Sequence, residues 1–125
     1  MLNVPISLRV FAKTTPTDMR KSFDGLVGLV EQELGQQVES GHLFLFFNRR
    51  RDRIKVLWFV GDGLVIWYRR LETGTFEVPR TTLAMHDGGS ASPAATIEMR
   101  TSELALILDG IELSSVRRRR RWRRA

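Results

Sequence analysis

The sequence predicts an α+β fold in which one main helix packs on an antiparallel β-meander, followed by a short C-terminal helix and a disordered basic tail. Before residue 35, apolar residues recur at intervals of three or four, which is typical of an amphipathic helix. Beyond residue 42, aromatic and β-branched runs alternate with turn residues, as in β-strands. The turns between these runs are short, which favours antiparallel neighbours.

The main helix is predicted to follow a short strand at residues 7–12. Thr17 or Asp18 can cap the helix by accepting a hydrogen bond from a free backbone N–H. Gly35 should end the helix, because glycine enters the left-handed conformation without steric cost. The apolar residues between these points predict one buried stripe, formed by Met19, Phe23, Leu26, Val30 and Leu34.

Four strands are predicted for the meander, at residues 42–47, 53–60, 64–70 and 75–78. In the second strand the even residues 54–60 should face the core. The odd face begins with Arg53 and Lys55 and ends with Leu57 and Phe59. Its apolar end predicts a covering helix, a ligand or a partner chain, and we favour a partner chain that contacts Leu57, Phe59 and Trp67.

The chain is predicted to form a core domain at residues 1–79, a linker at 80–95, a C-terminal strand and helix within 96–115, and a basic tail at 116–125. The C-terminal strand should span 96–99. The helix should span 102–109 and end at Gly110.

Composition narrows the possible chemistry. The 125 residues are 42% hydrophobic, enough for one core, and the absence of cysteine with only two histidines argues against disulfides and zinc. No glycine-rich phosphate loop is present, so we expect no cofactor. Pro5 and Arg9 interrupt the N-terminal apolar stretch, and we therefore expect a cytoplasmic protein without membrane attachment.

The net charge of +6 is concentrated at the C-terminus, where seven of the twenty basic residues lie. Without them the chain is almost neutral. Guanidinium groups bind phosphate in a bidentate manner and an indole stacks on a base, so this tail is typical of a nucleic-acid contact. Seven phosphate contacts would give a slope of log K against log salt of about −6. The alternative is a solvated terminus without a role. The tail residues are Arg117, Arg118, Arg119, Arg120, Arg121, Trp122, Arg123 and Arg124.

A second basic cluster lies at a predicted hairpin tip, where a β-ribbon can contact the DNA backbone or a groove. The alternative is an ordinary charged turn, in which Asp52 pairs with a neighbouring arginine and Asn48 forms the turn. The members of the cluster are Asn48, Arg49, Arg50, Arg51, Arg53 and Lys55.

Two further pairs of cations are candidates for DNA binding. Arg20 and Lys21 are predicted in the first turn of the main helix, where they could hold a phosphate or simply be exposed to solvent. Arg69 and Arg70 end the third strand of the meander. They could extend the basic surface, or pair with Glu72 and Glu77.

The acidic residues do not predict a catalytic site. A strand-transfer centre needs carboxylates that converge on two metal ions. Asp18, Asp24, Asp52 and Asp62 instead fall at predicted turns or a helix start, where aspartate is common for local reasons. Neither histidine adjoins a recognisable nucleophile turn, so we expect no enzyme activity.

Several blocks in a fixed order carry a resemblance to a known family. They are Asp18-Met19-Arg20-Lys21-Ser22, Asp24-Gly25-Leu26, Gly41-His42-Leu43-Phe44, Asn48-Arg49-Arg50 through Lys55, Asp62-Gly63-Leu64, Trp67-Tyr68-Arg69-Arg70-Leu71-Glu72, Gly74-Thr75-Phe76 and Pro79. Together, over roughly residues 5 to 80, they resemble the small TnpB accessory protein of IS66-class bacterial insertion sequences. The polyarginine run has no counterpart in the family pattern.

The resemblance implies a non-catalytic accessory protein of insertion-sequence transposition, encoded beside a separate transposase. We therefore expect the basic clusters to bind DNA at the ends of the element, with the transposase as second partner and a homo-oligomer possible. The alternative is a scaffold that docks on the transposase with little DNA contact.

Overall fold

The computed structural model describes residues 8–78 and 96–109. Within these two ranges, five strands, two α-helices and one 3-10 turn follow each other. In order they are β1 (Val10–Lys13), α1 (Phe23–Gln32), the 3-10 turn (Val38–Ser40), β2 (Leu43–Phe47), β3 (Arg53–Val60), β4 (Gly63–Arg70), β5 (Thr96–Met99) and α2 (Thr101–Asp109).

The strands form one mixed sheet in the order β4-β3-β2-β1-β5. β1 runs parallel to β2, with Val10 opposite Leu43, and all other neighbours are antiparallel. The prediction of one main helix on an antiparallel meander is therefore wrong, since the fold is mostly sheet with two short helices. All four residues of β1 are buried, so β1 lies inside the sheet, and the connection through α1 makes it parallel to β2.

Residues 75–78 were predicted to form a fourth meander strand, and this is also wrong. The segment is not a strand, and among the five strands of the described residues none comes from it. Phe76 and Val78 are buried in the core cluster that includes Leu45 and Ile54. Their aromatic and β-branched side chains thus serve packing on the sheet, a role that strand propensity cannot distinguish from pairing.

The sheet separates two apolar clusters. On one face, α1 contributes Leu26 and Val30, which pack with Phe44, Phe46 and Leu57 of the strands. The other face is covered by α2 and the segment around Phe76; its cluster includes Val10, Ala12, Leu45, Val56, Ile97, Leu104 and Ile107. Because successive strand side chains alternate between faces, Phe11 belongs to the first cluster and its neighbours Val10 and Ala12 to the second.

Helix α1 begins later than predicted. Ser22 is the N-cap and makes no side-chain capping bond, so neither Thr17 nor Asp18 caps the helix. The helix ends at Gln32 with Glu33 as its C-cap, three residues before the predicted Gly35. Gly35 does have φ of +64°, and the N–H of Gln36 donates back to the carbonyl of Val30 at 3.0 Å.

The predicted buried stripe is confirmed for Leu26 and Val30 of α1 and for Leu34, which lies after the end of the helix. Leu26, Val30 and Leu34 are buried, whereas Phe23 is 43% exposed. Met19 lies before the helix and packs at the margin of the same cluster.

A helix, and not a partner chain, covers the odd face of β3. Leu57 is fully buried in the cluster formed with α1. Trp67 lies opposite Val56, so its side chain is on the other face of the sheet from Leu57. The predicted docking surface of Leu57, Phe59 and Trp67 is therefore not a single surface.

Several predictions fall on residues outside the described ranges, namely the linker at 80–95, Gly110 as the end of the second helix, and the tail from Arg117 to Arg124 with Trp122. Within the described ranges, no helix is long and apolar enough to cross a bilayer.

Candidate nucleic-acid interface

The tip of the β2-β3 hairpin is organised by the side chain of Asn48. Its Oδ1 accepts from the N–H of Arg53 at 3.0 Å, and its Nδ2 donates to Oδ1 of Asp52 at 2.6 Å. The Asn48 carbonyl also accepts from the N–H of Arg51 at 3.1 Å. Asn48 therefore forms the turn, as the alternative interpretation of this cluster predicted.

The chain downstream of β4 holds the same tip from a second side. The carbonyl of Asp52 accepts from the N–H of Leu71 at 2.7 Å, and that of Arg51 accepts from the N–H of Phe76 at 2.6 Å. Phe76 is buried in the core, so the second bond ties the tip to the body of the protein. Arg51 has φ of +59°, a left-handed conformation that the surrounding bonds must stabilise.

The side chains of Arg49, Arg50 and Arg51 extend from this fixed backbone. All three residues are exposed. Among residues 8–78 and 96–109, no carboxylate lies within 4.0 Å of their guanidinium groups. Asp52 instead accepts from Asn48, and this hydrogen bond lowers the pKa of Asp52, assisted by the charges of Arg50 and Arg53. The tip thus presents three exposed cations that form no ion pair with a described carboxylate.

Lys55 connects the hairpin to the loop before α1. Its ammonium donates to the carbonyl of Met19 at 2.7 Å and to that of Lys21 at 2.8 Å, and it lies 4.8 Å from the ring centre of Tyr68. The residue is only 8% exposed. Lys55 was predicted to contact nucleic acid, but here its charge is used inside the protein, where it brings the helix-start cations beside the hairpin.

A cleft of about 340 Å³ lies where these two elements meet. The loop before α1 forms one wall and the hairpin tip forms the other. The N–H of Thr17 donates to the carbonyl of Phe47 at 2.8 Å, which fixes the loop against the end of β2. Thr17, Asp18, Met19, Asn48, Arg49, Arg50, Asp52 and Arg53 line the cleft.

Arg20 and Lys21 lie in this loop, just before α1 begins at Phe23, and not in the first turn of the helix. Asp18 accepts from Nη2 of Arg20 at 2.8 Å and from its Nε at 3.1 Å. This side-chain hydrogen bond is the main reason why the pKa of Asp18 falls to about 2. The Arg20 side chain is nevertheless 92% exposed, so most of its guanidinium faces solvent.

The remaining predicted cations differ in position. Arg53 lies opposite Arg70 on the face of α1 and donates to the hydroxyl of Tyr68 at 3.1 Å. Arg70 pairs with Glu72 at 2.9 Å, as its alternative interpretation predicted. Arg69 is on the opposite face, where it donates to the carbonyl of Leu108 in α2 at 2.9 Å. Arg70 therefore borders the tip, whereas Arg69 does not.

Tyr68 was not among the predicted site residues, although it contacts both Lys55 and Arg53. A signal for it exists in the sequence. Gly61 and Asp62 form a two-residue turn, with Val60 opposite Gly63. Counting back along both strands from that pair places Tyr68 opposite Lys55.

No group of three or more His, Cys, Asp or Glu side chains within residues 8–78 and 96–109 could hold a metal ion. Asp18 and Asp52 are both engaged in local hydrogen bonds. Asp24 lies in the first turn of α1 and Asp62 in the β3-β4 turn.

The protein is thus a small α and β protein with one mixed sheet, and exposed cations cluster at the tip of its β2-β3 hairpin. Comparison with known proteins gives the family. The chain belongs to the TnpB_IS66 family of IS66 Orf2-like proteins, whose model matches residues 8–118. The resemblance inferred from the separate sequence blocks is thereby confirmed, and the protein is an insertion-sequence-associated accessory protein.

Two relatives come from Sinorhizobium fredii (strain NBRC 101917 / NGR234). The uncharacterized protein y4jC is 29% identical over 119 residues, which cover 95% of this chain and 92% of y4jC. The uncharacterized protein y4hO is 31% identical over 106 residues, covering 85% of this chain and 83% of y4hO. No solved structure matches the chain.

Proposed function

We propose that the protein binds the DNA of its insertion sequence through the hairpin tip and thereby assists a separate transposase. The observation that carries this proposal is the exposure of Arg49, Arg50 and Arg51 on a backbone fixed by Asn48 and by the bond from Phe76. Arginines held on a rigid turn lose little backbone freedom when they bind a phosphate, so more of the interaction contributes to affinity.

The surface around the tip favours a polyanion over a single small anion. Arg20 and Lys21 follow Met19 in the loop that forms one wall of the cleft, and Arg70 lies opposite Arg53 of the other wall, so further cations lie near Arg49 and Arg50. Guanidinium groups bind phosphate oxygens in a bidentate manner, and each phosphate neutralised releases condensed counterions from the duplex. A stretch of DNA backbone is therefore the ligand that matches the spread of charge.

The tail would add to this contact. It contains seven arginines, and a polyarginine segment binds any phosphate chain. We propose that the tail provides sequence-independent affinity while the hairpin tip orients the folded domain on the duplex. The chemistry of strand transfer would belong to the transposase.

A binding series on element-end DNA tests the proposal, with the full chain and its R49Q/R50Q variant compared across salt concentrations. Each lost phosphate contact lowers the salt slope by about 0.9, so we expect a decrease of about 1.8 and at least about tenfold weaker binding near 0.1 M salt. R9Q/R100Q is the matched control, since it removes the same charge at exposed positions at the other end of the sheet.

The control should retain the slope of the natural chain to within one contact. If both double variants lose the same affinity, only net charge matters and the tip is not the site. If neither variant nor the natural chain binds element-end DNA at low salt, while the transposase co-purifies with the chain after nuclease digestion, the protein is a scaffold and the proposal is wrong.

A further inference from the structure

Strand β4 is the edge of the sheet, and within the described ranges no strand pairs with its outer side. Its sequence, Gly63 to Arg70, has no proline and no charge before Arg69. Val65, Trp67 and Tyr68 are 47%, 43% and 47% exposed. Edge strands are usually blunted by charge, proline or a bulge, so a long apolar edge of this kind is a template for another strand.

The β3-β4 turn determines which backbone groups of β4 are free to pair. Gly61 has φ of +64° and stands first in a two-residue turn that places Val60 opposite Gly63. In such a hairpin the residues next to the turn exchange hydrogen bonds, and hydrogen-bonded pairs then alternate along the ladder. The N–H and C=O groups of Leu64, Ile66 and Tyr68 therefore point outward.

We propose that β4 pairs antiparallel with β4 of a second copy, about a two-fold axis at Ile66. In this register each Ile66 lies opposite the other, Leu64 lies opposite Tyr68, and Val65 lies opposite Trp67. All three outward-facing residues then find outward-facing partners, which gives about six backbone hydrogen bonds. The two sheets join into one of ten strands.

In this register β4 is complementary to itself in charge as well as in its backbone hydrogen-bonding groups. Extending the register past the strand ends places Asp62 of each copy opposite Arg70 of the other. Arg70 bonds Glu72 through Nε and Nη2, which leaves Nη1 for a second carboxylate. A shift of two residues in either direction would lose both Asp62-Arg70 pairs. One register thus satisfies both the outward-facing backbone groups and the Asp62-Arg70 pairs. This agreement favours an isologous dimer over an unrelated partner.

Cysteine cross-linking tests the register, because the natural chain contains no cysteine. Opposite residues of a hydrogen-bonded pair have Cα atoms about 5.5 Å apart, a distance that suits a disulfide. Under copper-phenanthroline oxidation we expect I66C to form a covalent dimer. V65C and W67C should cross-link when mixed, and each alone should cross-link far less.

Sedimentation equilibrium on the full chain tests the dimer itself. W67K places a charge in the paired edge, and we expect the dissociation constant to rise at least about tenfold. F23K is the matched control, because Phe23 is also 43% exposed but lies on α1; it should stay within about twofold of the natural chain. Equal thermal midpoints for both variants would show that the fold is intact.

A natural chain that remains monomeric at a concentration on the order of 100 µM would overturn the proposal. It would also be overturned by a dimer that W67K leaves unchanged, or by V65C and W67C cross-linking alone as readily as when mixed. DNA binding plays no part in these measurements, so their outcome is independent of the proposed function.

Discussion

Asn48 is the residue on which the tip depends, because one side chain satisfies both the N–H of Arg53 and the carboxylate of Asp52. The side chains of the exposed arginines beside it contribute charge and make no ion pair with a described carboxylate. This division explains why a charged turn and a binding site are compatible interpretations of the same residues. The turn chemistry fixes the backbone, and the cations remain free for a ligand.

Asn48→Ala should destabilise the fold by about 1 to 3 kcal/mol, since it leaves a backbone donor and a carboxylate without their partner. The pKa of Asp52 should rise toward its ordinary value, because the hydrogen bond from Asn48 is the main cause of its depression. Urea unfolding and a carboxyl titration by NMR measure the two effects. R49A, at the exposed neighbour, is the control and should stay within about 0.5 kcal/mol.

Arg51→Gly separates stability from binding. Arg51 occupies the left-handed region, which costs a non-glycine residue roughly 1 to 2 kcal/mol. Glycine removes that cost but gains freedom in the unfolded chain, so we expect thermal stability equal to or slightly above that of the natural protein. The salt slope of DNA binding should nevertheless fall by about 0.9. A large loss of stability would contradict the assignment of strain at this position.

Asp18 gives a pH dependence that can be checked at one residue. Its pKa is about 2 in the folded protein against an ordinary 3.8, so the bond to Arg20 stabilises the fold above about pH 4 and is lost as the pH falls from 4 to 2. In R20Q the pKa of Asp18 should rise, because the hydrogen bond from the Arg20 side chain is the main cause of its depression. An unchanged carboxyl titration in R20Q would show that Arg20 does not hold Asp18.

At the level of elements, local patterns predict pairs that are close in sequence. The turn at Gly61 and Asp62 determines the whole β3-β4 register, including Lys55 opposite Tyr68. The stripe of Leu26, Val30 and Leu34 likewise follows from helical spacing. The predicted start of α1 was wrong because an aspartate side chain can accept from a nearby N–H in a turn as well as at the start of a helix. Here Asp18 accepts from the N–H of Arg20 in a turn before the helix.

Long-range pairing is the part that the sequence could not supply. Nothing local distinguishes β1 as an inner strand parallel to β2 from β1 as an edge strand, because its partners lie more than thirty residues away. The role of Lys55 was missed for the same reason. Its acceptors, the carbonyls of Met19 and Lys21, are backbone groups that carry no sequence signal.

Lys55→Met should release the loop before α1 from the hairpin. Two carbonyls lose their donor, and we expect a cost of about 1 to 3 kcal/mol together with faster amide exchange around residues 19–22. K21M is the matched control, since it removes the same charge from an exposed side chain in the same loop and leaves the Lys21 carbonyl in place. If the two variants unfold alike, Lys55 does not hold the loop.

At the scale of the whole molecule, one sheet connects every described element. Arg9 pairs with Glu98 at 2.7 Å across β1 and β5, at the end of the sheet opposite to β4. The hairpin tip, the loop before α1 and strand β4 all lie toward the half of the sheet that contains β3 and β4. DNA binding by the tip and pairing through β4 would therefore use neighbouring surfaces of one half of the protein, while β5 and α2 complete the core.

The central claim is that the folded tip, and not only the arginine tail, binds DNA. The most direct measurement is the salt slope of a full-length chain in which all seven tail arginines are glutamine, with and without R49Q/R50Q. We predict that the tail-neutralised chain still binds element-end DNA and that R49Q/R50Q lowers its slope by a further 1.8 or so. Loss of all binding on neutralising the tail, or an identical slope with and without the tip substitutions, would contradict the claim.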